Sequence, residues 1–133
     1  NGEVVLAGII ECAKACLAAG IPVGLGTDTG CPYITHYDMW REVRYFHTFC
    51  GVSNAFALHT ATLGNAKIAG IDGITGSLTP GKSADLIVTA GNPLEDLEAL
   101  RHVSMVTMRG KLFRNPQVKK MPDCERELDK VSC

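Results

Sequence analysis

The chain has 133 residues, 46% of them hydrophobic and 20% charged, the size and make-up of one soluble domain able to bury a core. Its net charge of −1 excludes an electrostatic case for partners such as nucleic acid or an anionic membrane. No apolar run reaches the ~18 residues of a membrane span, and six cysteines without close-spaced zinc or redox pairs read as reduced thiols of a cytoplasmic protein.

The chain opens at Asn1 directly before what reads as a mid-domain helix with no leader, so a piece of something longer is expected. A helix is predicted over 3–19, with Val5, Ile9, Cys12 and Cys16 on the face that would lie on a sheet. Gly20 ends it and Pro22 prevents its continuation. A strand is predicted over 21–26, where Ile21, Val23 and Leu25 alternate with Pro22, Gly24 and Gly26. A second helix over 36–50 has an apolar seam of Met39, Val43, Phe46 and Cys50, with Asp38, Arg41, Arg44 and Thr48 turned outward. Ser53 caps a third, over 53–61, without a capping box because Phe56 stands where Glu would. The helix is interrupted near Thr62 and Gly64, and 65–69 reads as a further short helical piece.

From Ser77 onward the pattern changes from helix to strand. Thr79-Pro80-Gly81-Lys82 is a type II turn, and strands are predicted over 84–89, 103–108 and 111–113, the last two joined as a hairpin by Arg109-Gly110. A helical turn is expected over 94–100, and 124–131 reads as helical within a charged, peripheral tail.

Asp28 stands between Thr27 and Thr29 at the C-terminal end of the predicted 21–26 strand, the end at which ligands bind in parallel α/β folds. The residue pattern alone leaves it either a site carboxylate or a turn aspartate bonded to its own backbone. His36 is either a rim residue near a substrate or a packed or solvated imidazole. Tyr33 and Trp40 either line a pocket or pack as aromatics, and Cys31 either lines a site or is a bystander thiol. His59 reads as a surface residue, Lys82 as solvated and Asp85 as structural.

Three segments together resemble the C-terminal part of the metal-dependent amidohydrolase superfamily, nearest its imidazolonepropionase-like and Xaa-Pro dipeptidase-like members. They are Ala19-Gly20-Ile21-Pro22-Val23-Gly24-Leu25-Gly26-Thr27-Asp28-Thr29-Gly30, Ala61-Thr62-Leu63-Gly64-Asn65-Ala66-Lys67, and the run from Gly76 to Val88, all within a resemblance spanning 3–113. The resemblance implies an α/β fold: the last unit of a (β/α)8 barrel over 1–70, with residues 21–26 as its eighth strand, then part of the small β-sandwich over 71–115 and the tail over 116–133. It also implies that Asp28 binds a divalent metal, zinc, and takes a proton from the attacking water, with Thr27 and Thr29 orienting it and His36 at the substrate rim. The family's His-x-His pair and its other ligands from earlier strands have no counterpart in this chain. The resemblance therefore implies a fragment, inactive by itself, of an enzyme that hydrolyses C–N bonds in a small amide or dipeptide substrate. The alternative is a non-catalytic module that self-associates or pairs with another chain, and a homo-oligomer or pairing with the missing barrel segment is expected.

Overall fold

The computed structural model describes residues 2–131, so Asn1 and the sixth cysteine, Cys133, lie outside the described residues. Helix α1 (Gly2–Ala18) ends where the sequence supplies its stop. Gly20, at φ 71°, donates its N–H to Leu17 O while the Ile21 N–H reaches back to Cys16 O, closing the last turn with the carbonyls that a helix end leaves unpaired. The predicted sheet-facing stripe of α1 is corrected: no residue of the helix is buried, and Val5 and Ile9 are each 61% exposed. Only Leu17, near its C-terminal end, packs against the core.

The segment after α1 is also corrected. Residues 21–28 belong to no strand ladder among the described residues. Val23 and Leu25 still alternate into the core as predicted, whereas Ile21 is exposed. The reason for the missing ladder is local: both backbone groups of Leu25 are taken by the side chain of Asn65, at 2.9 and 2.8 Å.

Helix α2 (Met39–Cys50) begins three residues later than expected, with Asp38 as its N-cap, because the Thr35 hydroxyl and the Trp40 indole N–H both hold the Asp38 carboxylate in a tight turn. His36 therefore lies outside the helix, exposed in that turn. Val43 and Phe46 of the predicted seam are buried with Ala57 and Leu97, and Met39 and Cys50 pack beside them. Arg41 and Asp38, expected on the outer face, are buried at 3% and 5% exposure.

Helix α3 (Asn54–His59) starts on its predicted cap, the Phe56 N–H donating to Ser53 Oγ at 3.2 Å. The interruption read at Thr62 and Gly64 is a widened π turn over Thr60–Gly64, through which the chain stays helical into α4 (Asn65–Ile68). Thr62 Oγ1 donates to the Leu58 carbonyl at 2.7 Å, drawing that oxygen off the helical ladder. Gly76, at φ 89°, passes so close to this helix that a Cβ there would sit 2.6 Å from that of Ala66.

Strands β1 (Leu86–Thr89), β2 (Val103–Met108) and β3 (Lys111–Arg114) make an antiparallel sheet in the order β1-β2-β3. The Arg109-Gly110 hairpin has the two positive φ values, 49° and 79°, of a type I′ turn. Asp85 fastens it as the structural residue it was read to be, accepting the Arg109 N–H at 2.7 Å and the Thr75 hydroxyl at 3.1 Å. These donors, the Arg109 N–H foremost, hold its carboxyl below the usual range. A 3-10 turn over Leu97–Arg101 connects β1 to β2 and places Leu97 in the core. Helix α5 (Pro122–Val131) docks on α2: Arg41 bonds Asp129 at 2.8 Å, Glu125 is buried beside it, and the Met121 N–H meets the Tyr37 hydroxyl at 2.9 Å.

Candidate functional site

The segment carrying Asp28 is extended and apolar up to Gly26 and then turns sharply. Asp28 itself is in the left-handed region at φ 50°, a conformation that costs most residues about 1–2 kcal/mol and that aspartate tolerates better than most. Its carboxylate is exposed. Thr27 and Thr29 are brought together across it, their hydroxyl oxygens 2.6 Å apart, and among the described residues neither bonds the carboxylate. The threonines therefore brace the backbone on both sides of the acid. The loop continues through a turn in which the Ile34 N–H donates to Cys31 O, with Pro32 and Tyr33 between them and Tyr33 at φ 65°.

Beside Thr27 lies a cavity of about 150 Å³ whose wall includes Tyr33, Asp38, Arg41, Glu42 and Leu128. Tyr33 thus lines a pocket, while Trp40 is a packing residue, 6% exposed, with the guanidinium groups of Arg41 and Arg101 stacked 4.5 and 5.2 Å from its ring. His36 is exposed and meets Tyr37 edge-on at 6.0 Å. Cys31 is an exposed free thiol.

The wall of that cavity is an ion cluster that sequence reasoning missed. Arg41 faces Asp129 at 2.8 Å, Asp38 at 3.6 Å and Glu125 at 3.7 Å, and Arg101 faces Asp129 at 3.1 Å and Glu125 at 3.4 Å. Burial by itself would lower the Arg41 pKa, but its hydrogen bond to Asp129 and the surrounding carboxylates raise it. The same contacts act in reverse on Asp129, whose carboxyl is lowered, first by the Arg41 bond. Glu125 moves the other way: burial pushes its carboxyl up, helped by a hydrogen bond shared with Asp38. The available signal was the Asp38–Arg41 spacing of one helical turn. Asn65 was missed as well, although an asparagine inside a helical run is itself a signal, since its amide competes with the backbone there.

The donors present do not by themselves fit a catalytic divalent ion. Such an ion takes about three protein ligands, and no group of three or more His, Cys, Asp or Glu side chains that could hold one occurs among the described residues. Nor is any helix among the described residues long and apolar enough to cross a membrane.

Comparison with known proteins identifies the class to which this arrangement belongs. The model of the amidohydrolase family matches residues 3–113, and the chain belongs to that family. A "putative prolidase" from Bifidobacterium longum superposes over 97% of the chain with a TM-score of 0.93 and 42% identity. A Xaa-Pro dipeptidase with bound methionine in its active site covers 80% of it with a TM-score of 0.73 and 33% identity. Guanine deaminase of Escherichia coli K12 is 33% identical over 98 residues, 70% of the chain. The chain spans 32%, 26% and 22% of the lengths of these three proteins.

Proposed function

We propose that the full-length protein carrying this chain is a metal-dependent amidohydrolase that cleaves the C–N bond of a dipeptide-type or related small amide, and that Asp28 is its proton-transferring carboxylate. The observation that carries this reading is the likeness to the two peptidase structures, which extends over 97% and 80% of the chain, against 70% for the deaminase. In this reading residues 1–70 close the barrel, with 21–28 lying where its eighth strand ends, 71–115 contribute to the β-sandwich, and 116–133 brace α2 from outside.

Asp28 accepts a proton from water as the water oxygen bonds to the amide carbonyl carbon. It then returns that proton to the amine nitrogen as the C–N bond breaks. The hydroxyl pair of Thr27 and Thr29 fixes the backbone on either side so that the carboxylate need not reorganise during the transfer. His36, exposed beyond the loop, contributes to substrate affinity. A divalent ion, zinc by family resemblance, would need ligands beyond those described, so the chain alone is expected to be inactive. The free thiols fit a reducing, cytoplasmic setting.

The test is Asp28→Asn in the full-length protein, which preserves shape and removes the proton acceptor. The expected result is a fall in kcat on the order of 10²–10⁴ with the unfolding midpoint unchanged, while His36→Ala moves KM. An Asp28→Asn enzyme with full activity refutes the assignment. Metal-dependent turnover of dipeptides by the isolated chain refutes the incomplete site.

A further inference from the structure

The acid at position 28 is only as well placed as the segment that carries it, and among the described residues that segment has no neighbouring strand. What it has is Asn65. In an extended chain the N–H and C=O of one residue leave from the same edge, and a neighbouring strand normally takes both. Here one carboxamide does so: the Leu25 N–H donates to Asn65 Oδ1 at 2.9 Å, and Asn65 Nδ2 donates to Leu25 O at 2.8 Å. The placement of oxygen and nitrogen follows from the partners, since the reverse would set N–H against N–H and oxygen against oxygen.

Two further features exist to allow this contact. The π turn over Thr60–Gly64 widens the helix immediately before Asn65, whose own N–H reaches back to the Thr60 carbonyl. On the other side stands Gly24, where a Cβ would lie 3.0 Å from Asn65 Oδ1 and 3.3 Å from Ile68 Cδ1. Any larger residue there presses on the carboxamide.

We infer that Asn65 is a positioning residue for Asp28, its carboxamide acting as a one-residue strand partner that sets the register of the segment ending in the acid. This rests on the hydrolase reading above. Three extended residues, about 10 Å of chain, separate Leu25 from Asp28, and a slip of one residue would shift the acid by roughly 3.3 Å and reverse its face. A displacement of about 1 Å at reacting groups already costs on the order of 10²-fold in rate. The clamp therefore acts on the chemical step and leaves substrate affinity alone.

Asn65→Ala, Asn65→Asp and Gly24→Ala in the full-length protein test this. Asp at 65 keeps the shape but sets a carboxylate against the Leu25 carbonyl; Ala at 24 removes no hydrogen-bonding group and carries the test should the Asn65 variants fail to fold. The expected result is a loss in kcat on the order of 10- to 100-fold with KM unchanged. Amide exchange at Leu25 should accelerate in the same variants. The double variant Asn65→Ala/Gly24→Ala should lose no more kcat than Asn65→Ala alone, because both open one clamp. Unchanged Leu25 exchange in Asn65→Ala overturns the clamp, and faster exchange with wild-type kcat overturns the positioning role. Asp28→Asn, measured in parallel, separates the two ideas. An inactive Asp28→Asn beside fully active Asn65 and Gly24 variants sinks this inference alone, whereas an active Asp28→Asn sinks the functional reading beneath it.

Discussion

Arg41→Met offers the sharpest check on how the region beside Asp28 is held. The guanidinium is buried, its side chain 4% exposed, and it faces three carboxylates: Asp38 and Glu125 are themselves 6% and 10% exposed, whereas Asp129 is 43% exposed. Removing it leaves Asp38 with only the Thr35 hydroxyl and the Trp40 N–H as donors from its own turn, and leaves Glu125 with Arg101 at 3.4 Å and Lys120 at 3.8 Å. Breaking a buried pair in this way costs about 3–5 kcal/mol, because the desolvation of the orphaned charge is no longer offset. With a urea slope of about 1–3 kcal/mol per molar, the unfolding midpoint should drop by more than about 1 M. The double variant Arg41→Met/Glu125→Leu should recover part of the loss, since it removes one of the carboxylates left buried. A cost for Arg41→Met below about 1 kcal/mol, the range of an exposed pair, would refute the view that this cluster anchors α5 on α2.

Local signals made much of the fold legible. Gly20, the Ser53 cap and the Arg109-Gly110 hairpin are set by residues within a turn of one another, and the structure places each where the sequence does. The Asp28 segment was legible as an extended run ending in an acid, and its family resemblance over 3–113 coincides with the matched range. What could not be read depends on partners distant in sequence. Arg41 looks like an outward residue until Asp129, 88 residues along, is brought against it. Asn65 likewise shows no role until Leu25, 40 residues back, lies beside it. The start of α2 was missed for the opposite reason: Thr35 and Trp40, both within three residues of Asp38, win its carboxylate and hold a turn where helical periodicity alone predicted helix. The exposed apolar face of α1 escaped because periodicity reports that a face is apolar and says nothing of what covers it.

Gly76→Ala should destabilise the protein by about 1–3 kcal/mol in urea unfolding, since the new methyl meets buried Ala66 Cβ at 2.6 Å on a backbone of φ 89°; an unchanged midpoint would show that the contact relaxes freely. The isolated chain, with Val4 76% and Val5 61% exposed on α1, should sediment as more than a monomer, and a clean monomer at high concentration would count against this. Glu42→Gln tests the electrostatics beside the cavity, and its sign follows from burial. Glu42 is half-buried on α2, and burial pushes its carboxyl up. The native state thus holds this proton more tightly than the unfolded chain, so stability falls as pH rises from the unfolded value, about 4.3, through the higher folded one. At neutral pH the native protein carries the full cost of a partly desolvated charge. Gln removes that charge with little change of shape, so the variant should be more stable than wild type at neutral pH and should lose its advantage well below pH 4.3 or so. Asp85 and Asp129, whose carboxyls are lowered, contribute oppositely: their stabilisation is present above the unfolded value and is lost as pH falls through the folded one. Because both remain in each protein, they cancel when the two unfolding curves are subtracted, leaving the Glu42 contribution. A gain that persists undiminished in acid would mean that Gln stabilises by packing or hydrogen bonding, and the burial argument would fail.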